Sequence, residues 1–457
     1  MRRTSTAFVA LCALALCFLV FGSAVVWAQS GNFVLSRETV SGGTVRAGVQ
    51  DRLVINSQAV FTALSGTEDD RGKLSFSLRK IDPYPFVPEV SSASLSVSNA
   101  ATQQLRLYTP YIAELIEEFK ESGKSAMNVQ LYHYTDSLPV TLVGNGLLDA
   151  ATDLPVSLND VFRIPLPEGA NIRIQRIGTA VADINVFYGG GYVAEASSTF
   201  DGEYLYLIVE VRERDSRRLA DGSMMPGGEW GVCRVPVERR RDEYLARLDE
   251  VENIYPLGSD WDEARLFLDE AALLICTRVD GEVRLHVLDL VSRSASETVL
   301  FDNETLSGYG GAQSINYLEY YPRGGSGVFL LDGKLAAAVD FTGDLEVLDT
   351  AVMPYEPVEL FTTGKSSYDL ISGAVESYRY TGADLADCAW AEGRFYALHT
   401  VFVRLENGRA VSALLLTEWD EGGVLGAELL TTQLSELVWR YGLSETAQIV
   451  PAGNSAG

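Results

Sequence analysis

The chain has 457 residues, 47% of them hydrophobic and 21% charged, a balance that supports a large core and excludes a disordered chain. Its length fits about three ordinary domains, or one long repeat or barrel fold. With 62 acidic against 36 basic residues the formal net charge is -26, which excludes nucleic acid as a natural partner, because that binding needs Lys and Arg to neutralise phosphates. A cationic partner is electrostatically admissible, and solubility outside the cell is the simpler use of the charge.

Arg2 and Arg3 precede an uncharged, mostly apolar run from Ala7 to Ala28, broken by Gly22 and Ser23. The basic start, the apolar run and Val26-Trp27-Ala28 together predict a signal peptide over residues 1–28, cleaved after Ala28. An uncleaved membrane anchor is the alternative, because about 20 apolar residues can span a bilayer. Cys12 and Cys17 each follow leucine, where a lipoprotein signal has a small residue, so lipid attachment is not expected. The protein is therefore expected outside the cytoplasm: periplasmic, at the cell surface or secreted. Three further cysteines remain, Cys233, Cys276 and Cys388. An odd number cannot all pair within one chain. Buried free thiols are the expectation, with a Cys233–Cys276 bridge left open.

Residues 29–44 form a Ser/Gly-rich lead-in. Leu53-Val54-Ile55, Ala59–Leu64 and Leu74–Leu78 then suggest short strands, the last two joined as a hairpin by the acidic tip Glu68–Gly72. Pro83, Pro85 and Pro88 mark an extended connection. One helix is expected over residues 110–122. Thr109 suits the N-cap, Pro110 the first turn and Gly123 the C-cap, while Ile112, Leu115, Ile116 and Phe119 share one face. Alternating strands return at Asn128–Tyr134 and Ile172–Ile177.

From Gly189 a repeat appears. Asp201-Gly202, Asp269-Glu270, Asp332-Gly333 and Glu392-Gly393 each precede an apolar strand, and their first acids lie 68, 63 and 60 residues apart. Third strands are expected at Val283–Leu290, Leu345–Asp349 and Ala410–Leu416, and outer strands at Thr298–Phe301 and Val358–Phe361. A four-stranded meander with two apolar faces cannot stand alone. Stacking such units radially buries both faces, which is the propeller solution. The turn Ser198-Thr199-Phe200-Asp201-Gly202-Glu203-Tyr204-Leu205 resembles those in blades of bacterial secreted β-propellers of the WD-repeat or TolB-like kind. That resemblance implies an all-β propeller, here of six to seven four-stranded blades over residues 45–450 with a flexible tail at 451–457. It names no ligand. Trp261-Asp262 and Trp419-Asp420 are expected in loops and do not end blades as the WD dipeptide does.

Catalytic motifs are missing. His133, His286 and His399 lack ligand spacing and no Cys-x-x-Cys occurs, so no metal site is expected. Asp260–Glu263 and Glu68–Asp70 lack the spacing of a calcium loop. The Gly-x-Ser-x-Gly elbow and the phosphate-binding glycine loop are absent. No cofactor is expected. The mixed charges of Glu238–Glu243 suit a solvated loop. The turn acids Asp201, Asp269 and Asp332 suit hairpin geometry better than catalysis. Tyrosines cluster in two loop-rich segments: Tyr309, Tyr317, Tyr320 and Tyr321, then Tyr368, Tyr378 and Tyr380. Because tyrosine offers contact area at low entropic cost, these seven form the candidate ligand face. A non-catalytic extracytoplasmic binding or scaffold protein follows, with a protein, peptide or glycan ligand. The alternative is a carbohydrate-active enzyme with a carboxylate pair in the propeller funnel.

Overall fold

The structure is a computed structural model. It describes residues 15–17, 36–55, 59–65, 88–92, 110–130, 137–139, 142–150, 155–157, 163–165, 171–177, 180–187, 192–213, 231–240, 243–258, 261–309, 314–354, 384–404, 410–431 and 447–450. These form a mostly β protein of several antiparallel sheets. The predicted helix spans Pro110–Glu121, with Phe119 fully buried and Gly123 just beyond it at φ 65°. Among the described residues no helix is long and apolar enough to cross a membrane. The chain divides into two compact units, one of residues 1–85, 319–340 and 347–457, the other of residues 86–318 and 341–346.

In the unit of residues 86–318, Tyr192–Phe200, Tyr204–Glu213 and Gly231–Arg240 pair in sequence order, and Glu252–Pro256 adds to the last of them. Glu263–Asp269, Ala272–Val279, Glu282–Asp289 and Ala295–Phe301 form a four-stranded meander. Consecutive residues of the central strands, Leu205–Val209 and Leu273–Cys276, are all buried. A run buried at every position has both faces covered, which explains why it is apolar throughout rather than alternating. Leu207, Val232, Leu266 and Ile275 lie in one cluster, so the two sheets share a core. Asn171–Ile177 pairs with Ala180–Phe187 and Ala126–Gln130 in a separate sheet.

The other unit holds a second meander, Leu318–Pro322, Ser326–Leu331, Leu335–Asp340 and Glu346–Val352. A third comprises Asp384–Ala391, Arg394–Arg404, Ala410–Asp420 and Gly423–Thr431. Its outer strand pairs antiparallel with Ser36–Gly42, so part of the expected lead-in is a strand. Gly48–Ile55 pairs with Ala59–Ser65 on one side and with Gln448–Val450 on the other. Segments some 400 residues apart are thereby stitched together twice. The hairpin predicted at Glu68–Gly72 and the outer strand at Val358–Phe361 lie outside the described residues.

The four repeat acids do not occupy one kind of site. Asp332 and Glu392 take positive φ (51° and 53°), followed by Gly333 and Gly393 at 65° and 73°, the geometry of a type I′ hairpin turn. Asp269 ends its strand, and Glu270 takes the positive φ of 50°. Asp201 does neither. Its Oδ1 accepts the Glu203 and Tyr204 N–H groups at 2.8 and 2.7 Å, and its Oδ2 accepts the Tyr206 hydroxyl at 2.7 Å. The expected phase also slips by one strand. The Asp332 turn joins the second and third strands of its meander, whereas the Asp201, Asp269 and Glu392 turns join first to second strands. Its true counterpart in the preceding meander is Asp280-Gly281, with φ 51° and 88°. For the same reason Glu346–Val352 is a fourth strand and not a third.

Trp261 precedes its strand as expected, its indole N–H donating to the Gly258 carbonyl at 3.1 Å. Trp419 corrects the expectation. It lies within the strand Ala410–Asp420, buried and stacked on Phe395 at 4.7 Å, because the hairpin turns only after Asp420. The three cysteines are free and buried. Burial pushes the Cys233 thiol up to about 12, and the Cys276 and Cys388 thiols up as well. In residues 29–457 a thiol reagent should label none of them in the native protein and all three after unfolding in urea, counted by mass spectrometry.

Gly42 lies where the backbones of two strands nearly touch. Its φ is 64°, and a Cβ there would sit 2.3 Å from the Leu425 carbonyl oxygen. At Gly43 the nearest atom is 3.8 Å away. Gly42→Ala should therefore destabilise the protein by about 2 kcal/mol or more, through backbone strain and overlap. Gly43→Ala should cost less than about 1 kcal/mol, and urea unfolding of both variants distinguishes them.

Candidate functional site

The first tyrosine segment begins at one end of the meander 263–301. Asp302 caps the helix Asn303–Gly308, accepting the Thr305 N–H at 2.8 Å, which holds its carboxyl below the usual range. Asn303 donates to the Asp280 carbonyl at 3.3 Å, so the helix starts beside the Asp280-Gly281 turn. Gly281 takes a φ of 88°, which explains the glycine, and a Cβ there would also lie 2.5 Å from the Asn303 side chain. Tyr309 caps the C-terminus of the helix, donating its N–H to Thr305 O at 3.1 Å, and is half-buried.

The chain returns to the same sheet end at the 3-10 turn Ile315–Tyr317. Glu263, at the start of its strand, is fully buried. A carboxylate in that setting needs donors. Its Oε2 accepts the Ser314 hydroxyl at 3.1 Å and the Ile315 N–H at 2.7 Å. Ser314 in turn accepts the Asn316 N–H at 3.2 Å, and the Arg265 guanidinium donates to the Asn316 carbonyl. Successive backbone groups of the turn are thus fixed by side chains of one strand. Tyr317 follows, 64% exposed.

Tyr320 and Tyr321 belong to the other unit and serve packing. The Tyr320 ring lies 4.6 Å from Phe329 and its hydroxyl donates to Ser326 O at 2.9 Å. Tyr321 packs against the cluster of Val328, Leu330 and Cys388. Its hydroxyl donates to Glu319 at 2.7 Å, and burial with that carboxylate pushes its pKa up. Tyr368, Tyr378 and Tyr380 lie outside the described residues. The structure thus brings Tyr309 and Tyr317 to one sheet end. Tyr320 and Tyr321 look the same in sequence but have different duties. The β-favouring aromatic pair that follows Leu318-Glu319 is the signal that could have marked them as strand residues.

One polar cluster had no signal in the sequence. His286 stands on the shared core of the two sheets, its Nε2 3.1 Å from Thr277 Oγ1 and its Nδ1 3.2 Å from the Tyr255 hydroxyl. Glu297 Oε2 approaches Nδ1 at 3.7 Å. A hydroxyl, a histidine and a carboxylate in this order have the connectivity of an activated nucleophile. Thr277, however, is 1% exposed, sealed within the buried strand Ala272–Val279. No substrate reaches a sealed hydroxyl, so the cluster is a hydrogen-bonded tie between Glu252–Pro256 and the meander. Glu238, Arg239 and Arg240 are exposed, as expected of solvated charges, but they lie in a paired strand and not in a loop. Among the described residues no group of three or more His, Cys, Asp or Glu side chains could hold a metal ion. His133, Asp260 and Glu68–Asp70 lie outside them.

No family model matches the chain, and no curated protein matches it in sequence. Among solved structures it is similar to one from a study of two prolyl endopeptidases, at 11% identity over 81% of this chain and 53% of that one, with a TM-score of 0.22. It is also similar to oligopeptidase B from Leishmania major (9% identity, 76% and 53% coverage, TM-score 0.17). A third likeness is to dihydro-heme d1 dehydrogenase NirN (13% identity, 72% and 81% coverage, TM-score 0.18). The chain spans about half the length of the first two. Likenesses this slight carry no argument about activity.

Burial holds His286 below its ordinary value and His399 down at about 3. Below about pH 6.5 the unfolded chain takes up protons that the folded one refuses. The stability contributed is complete above that pH and falls as the pH drops toward the folded values. Unfolding free energies from urea titrations between about pH 7.5 and 5 should decline, by up to about 1.4 kcal/mol per pH unit for each histidine. His399→Leu should flatten that slope whatever it does to overall stability.

Proposed function

We propose that the protein is a non-catalytic binding or scaffold protein acting outside the cytoplasm. It engages a peptide, protein or glycan through the sheet end that carries Tyr309 and Tyr317. The observation that carries this reading is the Tyr317 turn: a 64% exposed aromatic ring on a backbone fixed by buried Glu263. An exposed ring on a rigid support binds at little entropic cost, because the support is already ordered. Among the described residues, the buried carboxylates of Glu263, Asp387, Glu418 and Glu428 are already occupied by donors. A catalytic carboxylate must instead face substrate.

The proposed framework is a propeller of six to seven blades over residues 45–450. Three consecutive antiparallel meanders support it, as does the stitching of distant segments, which leaves fewer loose edges. The charge of -26 favours a partner that is not itself polyanionic. Residues 1–28 supply export, by cleavage after Ala28 or as an anchor.

Purified residues 29–457 should retain a ligand from glycan or peptide arrays. Tyr317→Ala should weaken that binding at least tenfold while shifting the melting temperature by no more than a surface substitution does. Hydrolysis of any arrayed glycan, abolished by replacing one carboxylate, would overturn the non-catalytic reading.

A further inference from the structure

Residues 36–50 and 447–450 touch one another as well as the sheet of residues 384–431. Arg37 Nε donates to Glu428 Oε2 at 2.6 Å, while its Nη2 reaches past the next bend to the carbonyls of Val45 and Ala47, at 3.1 and 3.0 Å. Between those two carbonyls, the Arg46 N–H donates to Glu418 at 3.0 Å. Gly48–Gln50 then pair with Gln448–Val450. Asp387 Oδ2 accepts both Arg323 and the Ile449 N–H, each at 2.6 Å. Val45, Ala47, Val49, Ala447 and Ile449 lie in a single buried cluster on the sheet.

We propose that residues 36–50 and 447–450 seat and release as one cooperative strap, pinned by Arg37, and not as two strands that fray separately. Without the Arg37 guanidinium, Glu428 keeps its buried place, 3% exposed, but loses its cation. The Val45 and Ala47 carbonyls lose a donor in the same event. The bend that places Val45, Ala47 and Val49 is then unheld, and Gln448–Val450 lose the strand they pair with. From the other direction, losing the Ile449 side chain uncovers Val49 and loosens the same bend. A buried carboxylate tolerates neither a missing partner nor a slipped register, so half-seated states are disfavoured. The sheet of residues 384–431 gains its edge strand from Ser36–Gly42 and its apolar cover from Val45, Ala47, Val49, Ala447 and Ile449 only when both segments are in place.

Hydrogen exchange on residues 29–457 tests this. Arg37→Met should speed exchange at Gln448–Val450, which Arg37 does not touch, at least tenfold. Ile449→Ser should do the same at Ser36–Gly42, while Ser326–Leu331 remains as slow as before. Acceleration confined in each variant to its own segment would overturn the proposal. Should either variant fail to fold, exchange of the unaltered protein in sub-denaturing urea gives the answer. The two segments should open with the same urea dependence, and separate openings would sink the idea.

Discussion

Three carboxylates sealed from water, Asp387, Glu418 and Glu428, govern how the sheet of residues 384–431 is finished. Each takes at least one donor from a segment remote in sequence. Arg37 serves Glu428, the Arg46 N–H and Arg394 serve Glu418, and Arg323 with the Ile449 N–H serves Asp387. Burial raises the Asp387 carboxyl against the pull of Arg323 and two backbone N–H groups, so its solvation cost is only partly offset. Breaking a buried pair by removing one partner costs about 3–5 kcal/mol. That exceeds the roughly 1.5–3 kcal/mol gained by burying one aliphatic side chain. The apolar cluster around Val45, Val49 and Ile449 therefore forms only in the register that pairs the charges. Thr39 lies opposite Glu428 in this register, and a slip of one residue would carry Arg37 away from that buried carboxylate and leave it without its cation.

The same constraint acts in the other unit with a different result. Glu263 takes a hydroxyl and a backbone N–H from the Ser314–Ile315 turn on its Oε2. A buried acid that captures backbone donors fixes a loop, and a fixed loop can present an exposed ring at low entropic cost. The molecule thus uses its acids in two ways. Among the described residues many are exposed, and a few are buried where they decide which segments meet.

The apolar strands were legible because burial on both faces leaves uninterrupted runs, as at Leu273-Leu274-Ile275-Cys276. The helix Pro110–Glu121 was legible from its spacing and caps. The phase of the repeat was not, for a physical reason. Asp-Gly encodes a turn with positive φ, and any tight hairpin can use it. Asp280-Gly281 and Asp332-Gly333 are equivalent in the structure, but Asp269 stood nearer the apparent period. The strap was illegible because Ser36–Gly42 contains a single aliphatic residue, Val40, and reads as linker. Its strand character comes from Leu429 and its neighbours across the ladder, not from its own composition.

The tyrosines make the general point about function. Density in sequence ranked Tyr317, Tyr320 and Tyr321 together. Their surroundings separate them, because a tyrosine hydroxyl that finds a partner inside the protein has a structural task. Tyr206 is bonded to Asp201, Tyr320 to Ser326 and Tyr321 to Glu319, and Tyr255 lies against His286. Each of those rings is buried or half-buried. Tyr317 differs in having its ring in solvent while the backbone beneath it is held by a buried carboxylate and an arginine. Folding alone gives no reason to order that turn so closely and leave its aromatic ring uncovered. The combination of a fixed backbone and an exposed ring is the ground on which this sheet end is proposed as a place for a partner.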